Sequence, residues 1–134
     1  MTMCEKTIVN AVVNALACRG FRYVATEVAN FYRSADIGAI DNEGKIWAIE
    51  CKVSSIGRAI EQSKTHKLSA DKVFIATFRK NTREDTLSKI REAGIGLLYV
   101  TPDGSMSEPV EEPKENSPWS LARERFLTRI MEGV

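Results

Sequence analysis

Two runs of strand-forming residues, Ala35 to Asp41 and Lys45 to Val53, are separated only by Asn42-Glu43-Gly44. A short polar loop ending in glycine suits a hairpin that closes through a left-handed bulge residue. Such a closure dictates the register of both strands: Asp41 faces Lys45, Ile40 faces Ile46, and Asp36 lies across from Glu50. Side chains alternate along a strand, so Asp36, Gly38, Ile40, Ala48, Glu50 and Lys52 share one face. Ile37, Ala39, Trp47, Ile49, Cys51 and Val53 share the other, which is apolar throughout. The first face carries charges that need a physical reason to be there.

The flanking segments set this hairpin in an α/β context. Ile8, Val9, Val12, Val13 and Leu16 recur at helical spacing between Glu5 and Cys18, and Gly20 follows as a stop. A strand is predicted around Tyr23 to Val28. After the hairpin, Ser54 or Ser55 is placed to cap a helix running to about Leu68, and a strand follows over Lys72 to Thr77. A helix from Thr82 to Gly94 and a strand over Gly96 to Val100 complete an αβββαβαβ order. That order implies a mixed sheet, antiparallel first and then helix-connected, flanked by helices. Thr101 to Ser117 is polar and rich in Pro and Glu, which predicts a linker. Ser117-Pro118 then opens a last helix with Trp119, Ala122, Phe126, Leu127 and Ile130 on one stripe. The expected division is therefore a core over 1–101, a polar linker over 102–117 and an amphipathic helix over 118–134. The stripe of that helix either packs back on its own domain or meets a second copy.

Composition narrows the function classes. With 134 residues, 43% of them hydrophobic, the chain suits one globular domain. It contains no apolar run long enough to span a membrane, and its opening residues lack the layout of a secretory signal, so a cytoplasmic location and no membrane partner are expected. Cys4, Cys18 and Cys51 form no CxxC pair, which favours reduced thiols and argues against a cysteine-held metal. The net charge of +1 conceals a basic middle, from Lys52 to Arg91, followed by an acidic stretch. That asymmetry is compatible with a nucleic-acid surface.

The facing pair, Asp36 and Glu50, carries the chemistry. Two carboxylates about 5 Å apart across a strand pair repel each other, by about 3 kcal/mol at an effective dielectric near 20. Lys52 offsets part of this, and a hard divalent cation offsets it more fully. Mg²⁺ prefers carboxylate oxygens and retains waters for a phosphate-bearing substrate. An acid two positions before a lysine also occurs at Glu43-Gly44-Lys45 and Glu112-Pro113-Lys114, but only Glu50-Cys51-Lys52 lies in a strand opposite another acid. A structural ion pair between Glu50 and Lys52, capped by Asp36, is the simpler alternative.

Asp36, a hairpin, Glu50-Cys51-Lys52 and a following helix, within an αβββαβ core, resemble the PD-(D/E)xK nuclease superfamily, the restriction-endonuclease-like fold, and its small resolvase-like or RecB-like members. The resemblance covers about Glu5 to Val100, with Ala35 in place of the usual proline before the aspartate. It implies metal-dependent hydrolysis of DNA phosphodiesters in repair, recombination or mobile-element defence. By that resemblance Asp36 and Glu50 ligate Mg²⁺ or Mn²⁺, the Cys51 backbone carbonyl is a further candidate ligand, and Lys52 orients or deprotonates the attacking water. Glu5, at the start of the first helix, and Glu27, near the end of the first strand, are candidates for additional carboxylates near the metal. Gln62 and His66, four apart on one helix face, resemble the Gln-xxx-Tyr element of RecB-like members, with histidine replacing tyrosine. Arg58, Lys64, Lys67, Arg79, Lys80 and Arg83 are the candidate phosphate contacts. A homodimer is expected because paired cuts need two sites. The competing reading is a non-catalytic nucleic-acid-binding module, or an interaction protein, that retains the fold.

Overall fold

The structure, a computed structural model, describes residues 4–78, 82–101 and 103–133. Helix α1 (Glu5–Cys18) precedes three strands, β1 (Tyr23–Asn30), β2 (Arg33–Ile40) and β3 (Ile46–Cys51). Helix α2 (Ile56–Lys64) continues into a 3-10 turn at Thr65–Leu68, followed by β4 (Lys72–Phe78), α3 (Glu84–Glu92), β5 (Gly96–Val100) and α4 (Ser120–Glu132). The sheet has five strands in the order β1-β2-β3-β4-β5, with β1, β2 and β3 antiparallel and β3, β4 and β5 parallel. This is the mixed α/β arrangement that the element order predicts, and it is consistent with a restriction-endonuclease-like fold.

The hairpin closes as the loop chemistry requires. Gly44 adopts φ +80°, a region open to glycine at no steric cost, and its N–H donates to the Asp41 carbonyl at 3.1 Å. The Asp41 side chain accepts the N–H groups of Glu43 and Lys45, each at 2.9 Å, and so holds the turn from within. Register follows directly, with Ile40 opposite Ile46, Gly38 opposite Ala48 and Ile37 opposite Ile49.

Each face of the sheet buries its own core. Ile37, Ala39, Trp47, Ile49 and Cys51 pack with Phe74 against Ile8, Val12 and Leu16 of α1. Trp47 stacks on Phe74 and meets Phe21 edge-on. On the opposite face, Ile40, Ala48 and Ile75 pack beneath Ile60 of α2, Ile90 of α3, and Phe126 and Ile130 of α4.

Helix α4 lies against β1 and β2 of its own chain. Ala122, Phe126 and Ile130 are buried, and Gly38 permits the approach, since a Cβ there would stand 2.7 Å from Ile130 Cγ1. Arg123 locks the helix to the strands through Asp71, at 2.9 Å, while Asp71 also accepts the Ile46 N–H at 2.7 Å. Ala122, Phe126 and Ile130 thus serve the chain's own core, the first of the two uses expected for the stripe, while Trp119 stays exposed. Residues after β5 run back along that strand, with bridges from Leu97 to Glu111 and from Val100 to Met106.

Two expected caps differ in the structure. Ser55 occupies the position before α2 but adopts φ +57° and makes no side-chain cap bond. Helix α4 begins at Ser120 rather than at Pro118: Trp119 is extended, with ψ 122°, and its N–H donates to the Leu68 carbonyl at 3.0 Å.

Candidate active site

Strand pairing between β2 and β3 ends at Ile37 and Ile49, one pair short of Asp36 and Glu50. The Asp36 side chain takes the next ladder position instead, its Oδ2 accepting the Cys51 N–H at 2.8 Å. Its carboxyl is pushed up to about 6, chiefly by burial, with the Cys51 N–H opposing and the Glu50 charge, a hydrogen bond with Glu50 and the Glu5 charge adding to the rise. The two acids therefore converge closely enough for the Glu50 charge to disfavour ionisation of Asp36. Glu5 stands in the exposed first turn of α1, within electrostatic reach of the pair.

Glu50 is buried, and its partner is not Lys52. His66, fully buried in the 3-10 turn, donates from Nε2 to Glu50 Oε1 at 2.7 Å. The other ring nitrogen, Nδ1, accepts from Asn30 Nδ2 at 2.8 Å, and Asn30 is itself buried at the end of β1. A chain of hydrogen bonds, Asn30 to His66 to Glu50, thus fixes the ring and its tautomer and aims one carboxylate oxygen. The Glu50–Lys52 ion pair considered as the simpler alternative does not form. Lys52 is half-buried, and among the described residues its ammonium makes no ion pair or side-chain hydrogen bond.

The remaining sequence candidates fall into separate places. Gln62 is half-buried on α2 and its side chain makes no hydrogen bond among the described residues, so of the two helix positions only His66 reaches a carboxylate. Glu27 lies across the β1–β2 ladder from Asp36, yet it adopts φ +50°, is exposed, and makes no ion pair among the described residues. Arg83 lines a cleft of about 290 Å³ beside Val53 to Gly57, immediately beyond Lys52. Lys64 and Lys67 instead line a groove of about 740 Å³ between α2 and α3, together with Lys89. Burial first, and then the Lys64 and Lys114 charges, hold the Lys67 ammonium below its ordinary value. Arg58 is exposed on α2, and Arg79 and Lys80 lie outside the described residues.

Two residues near the carboxylates escaped sequence reasoning. Asn30 carries no motif and is found only through His66. Thr77, one position beyond the Cys51–Ala76 pair, lies on the sheet face shared by Glu50 and Lys52, with a fully buried hydroxyl that has no hydrogen-bond partner. The parallel β3–β4 register was the signal that could have located it.

A divalent ion suits this donor set. Two hard carboxylates, of which Asp36 is disfavoured in its ionised form by burial and by the Glu50 charge, gain from a shared cation, and the orphaned Thr77 hydroxyl is a polar group without a partner. Among the described residues no group of three or more His, Cys, Asp or Glu side chains is arranged to enclose a metal. An ion at Asp36 and Glu50 would therefore retain water ligands, as Mg²⁺ prefers. Cys51 is not a thiolate donor: burial first, then the charges of Asp36, Glu50 and Glu5, hold its thiol well above the usual value.

Neither a protein-family model nor a curated protein matches the chain. Among solved structures, the chain is similar to the SPO1766 protein of unknown function from Silicibacter pomeroyi, at 20% identity over 98% of this chain and 86% of that one, with a TM-score of 0.77. It is also similar to a repair endonuclease from Pyrococcus abyssi, at 16% identity over 76% of this chain and 49% of that one, with a TM-score of 0.59. The chain thus spans about half the length of that endonuclease. At these identities the likeness is one of fold, and function has to be argued from the site. Among the described residues no helix is long and apolar enough to cross a membrane.

Proposed function

We propose that the protein is a metal-dependent nuclease that hydrolyses DNA phosphodiester bonds, most simply as an endonuclease. The observation that carries this reading is the convergence of Asp36 and Glu50, followed two residues on by Lys52, whose ammonium has no ionic partner among the described residues. A bound Mg²⁺ or Mn²⁺ would polarise the phosphoryl oxygens and lower the pKa of a coordinated water. Asp36 and Glu50 would hold that ion, with the Cys51 carbonyl as a further ligand, and His66 would keep Glu50 in the required orientation. Lys52 is free to orient the attacking water and to offset charge as it builds on the phosphate. Arg83, which lines the cleft beside Val53 to Gly57, would hold an adjacent phosphate.

The test compares supercoiled, linear, single-stranded and branched DNA with Mg²⁺, Mn²⁺ or EDTA, using the wild type, Asp36→Ala and Lys52→Ala. Metal-dependent cleavage lost in both variants is the expected result. Cleavage that persists in both would remove the site assignment, and binding without cleavage in the wild type would favour a non-catalytic module.

A further inference from the structure

Four of the large apolar side chains left exposed lie where three elements meet. Strands β1 and β2 are joined by Phe31-Tyr32, a two-residue loop closed by the Asn30–Arg33 pair. Phe31 adopts φ +59°, a conformation that favours glycine, and the residue remains 45% exposed, while Tyr32 is 80% exposed. Trp119, just before α4, is 57% exposed, and its N–H bonds to the carbonyl of Leu68, which is 52% exposed. Phe31 and Trp119 line a small cleft of about 70 Å³ whose other walls include Asn30, Arg125 and Arg129.

The patch is cationic as well as aromatic. Arg33 lies with its guanidinium carbon 5.2 Å from the Tyr32 ring centroid. Among the described residues none of Arg33, Arg125 and Arg129 forms an ion pair. Flat apolar rings interleaved with unpaired guanidinium groups match a polyanion that also offers flat faces, as an unpaired nucleic-acid strand does. A duplex hides those faces within its stack. A second copy of this chain fits poorly, because a two-fold contact centred here would set the arginines against their own counterparts.

The position ties the patch to the carboxylates. Asn30, in the cleft wall, donates to His66, which in turn holds Glu50. Arg33 is three residues from Asp36 on β2, about 10 Å along a strand, or roughly three nucleotides at stacked spacing. We propose that Phe31, Tyr32 and Trp119, flanked by Arg33, Arg125 and Arg129, stack the unpaired bases of a DNA strand entering the Asp36–Glu50 site, so that the favoured substrate carries a single-stranded segment. This rests on reading Asp36, Glu50 and Lys52 as a nuclease centre.

The experiment titrates the full chain, in EDTA, with oligothymidylate and with a blunt duplex of equal length. Trp119 is the reporter, since the other tryptophan, Trp47, is buried between Phe21 and Phe74. Single strands should quench its fluorescence and blunt duplex should not. Tyr32→Ala and Phe31→Gly should each weaken single-strand binding about tenfold while changing duplex binding less than about twofold. Both rings are exposed and glycine suits the Phe31 conformation, so unchanged melting curves verify the fold. Equal losses for both DNA forms, no quenching by single strands, or a fluorescence change that tracks protein concentration without DNA would overturn the proposal. Selective single-strand binding together with cleavage indifferent to Asp36→Ala would overturn the nuclease reading alone. Asp36-dependent cleavage in which Tyr32→Ala treats flapped and blunt DNA as the wild type does would overturn the platform alone.

Discussion

Removing the charge of Asp36 should stabilise the metal-free protein, and the effect should depend on pH in a defined direction. The carboxyl titrates near 6 in the folded chain against an ordinary value of 3.8, because burial and the neighbouring Glu50 disfavour its ionised form. The folded-state pKa is raised, so the stability associated with the protonated group is complete below about pH 4 and is lost as pH rises through 6. A shift of about 2 units corresponds to roughly 3 kcal/mol at full value. Partial exposure of the group and solvent screening reduce this to about 1 kcal/mol. Asp36→Asn keeps an oxygen that can accept the Cys51 N–H, so little else is disturbed. In EDTA, urea unfolding should show the variant equal to wild type near pH 4, more stable by about 1 kcal/mol above pH 6.5, and with an unchanged urea dependence. Saturating Mg²⁺ should reverse the order, because ligand binding to the native state stabilises wild type and Asn is the poorer ligand. A variant less stable than wild type at pH 7.5 without metal, or an advantage that does not change with pH, would refute the argument that burial and the Glu50 charge disfavour the ionised form of Asp36.

Lys52→Ala should abolish cleavage while altering the unfolding free energy by less than about 0.5 kcal/mol, since its side chain holds no partner in the fold; paired cleavage and urea titrations check both halves. His66→Ala should cost about 2 to 3 kcal/mol, because it strands the buried Glu50 carboxylate and the Asn30 amide together, and urea titrations against wild type measure it. Phe126→Ala should cost about 3 to 5 kcal/mol by leaving a cavity over β1 and β2, a loss visible as a lowered melting temperature. Gly38→Ala should also destabilise, by about 1 to 3 kcal/mol, through the clash with Ile130, and the same melting series reports it.

The hairpin was legible in the sequence because its turn chemistry and its alternation agree. Asn42-Glu43-Gly44 sets the loop, the loop sets the register, and the register sorts Ile37 and Trp47 from Gly38 and Ala48 without any knowledge of tertiary contacts. Helix ends were less legible. A serine before a helical stripe is a statistical cap, but at Ser55 the chain turns through a left-handed conformation and the hydroxyl is not used. At Ser117-Pro118 the local signal is not followed: Trp119 stays extended and bonds to Leu68, and the helix starts one residue later.

What the sequence could not supply is the partner of Glu50. Spacing alone places a lysine on the same face two residues away, and proximity along the chain makes Lys52 the natural counterion. The fold offers a better one: the 3-10 turn after α2 brings a buried imidazole to 2.7 Å, and Asn30 of β1 removes that ring's freedom to turn away. Neither contact follows from local periodicity, since Asn30 and His66 are 36 residues apart and meet only because β1 and the turn after α2 converge beside the end of β3. The consequence is a division of labour between the histidine bonded to Glu50 and the lysine two residues after it. A histidine committed to Glu50 leaves Lys52 without an ionic partner among the described residues, and on the nuclease reading proposed above that ammonium is the group an incoming phosphate would meet.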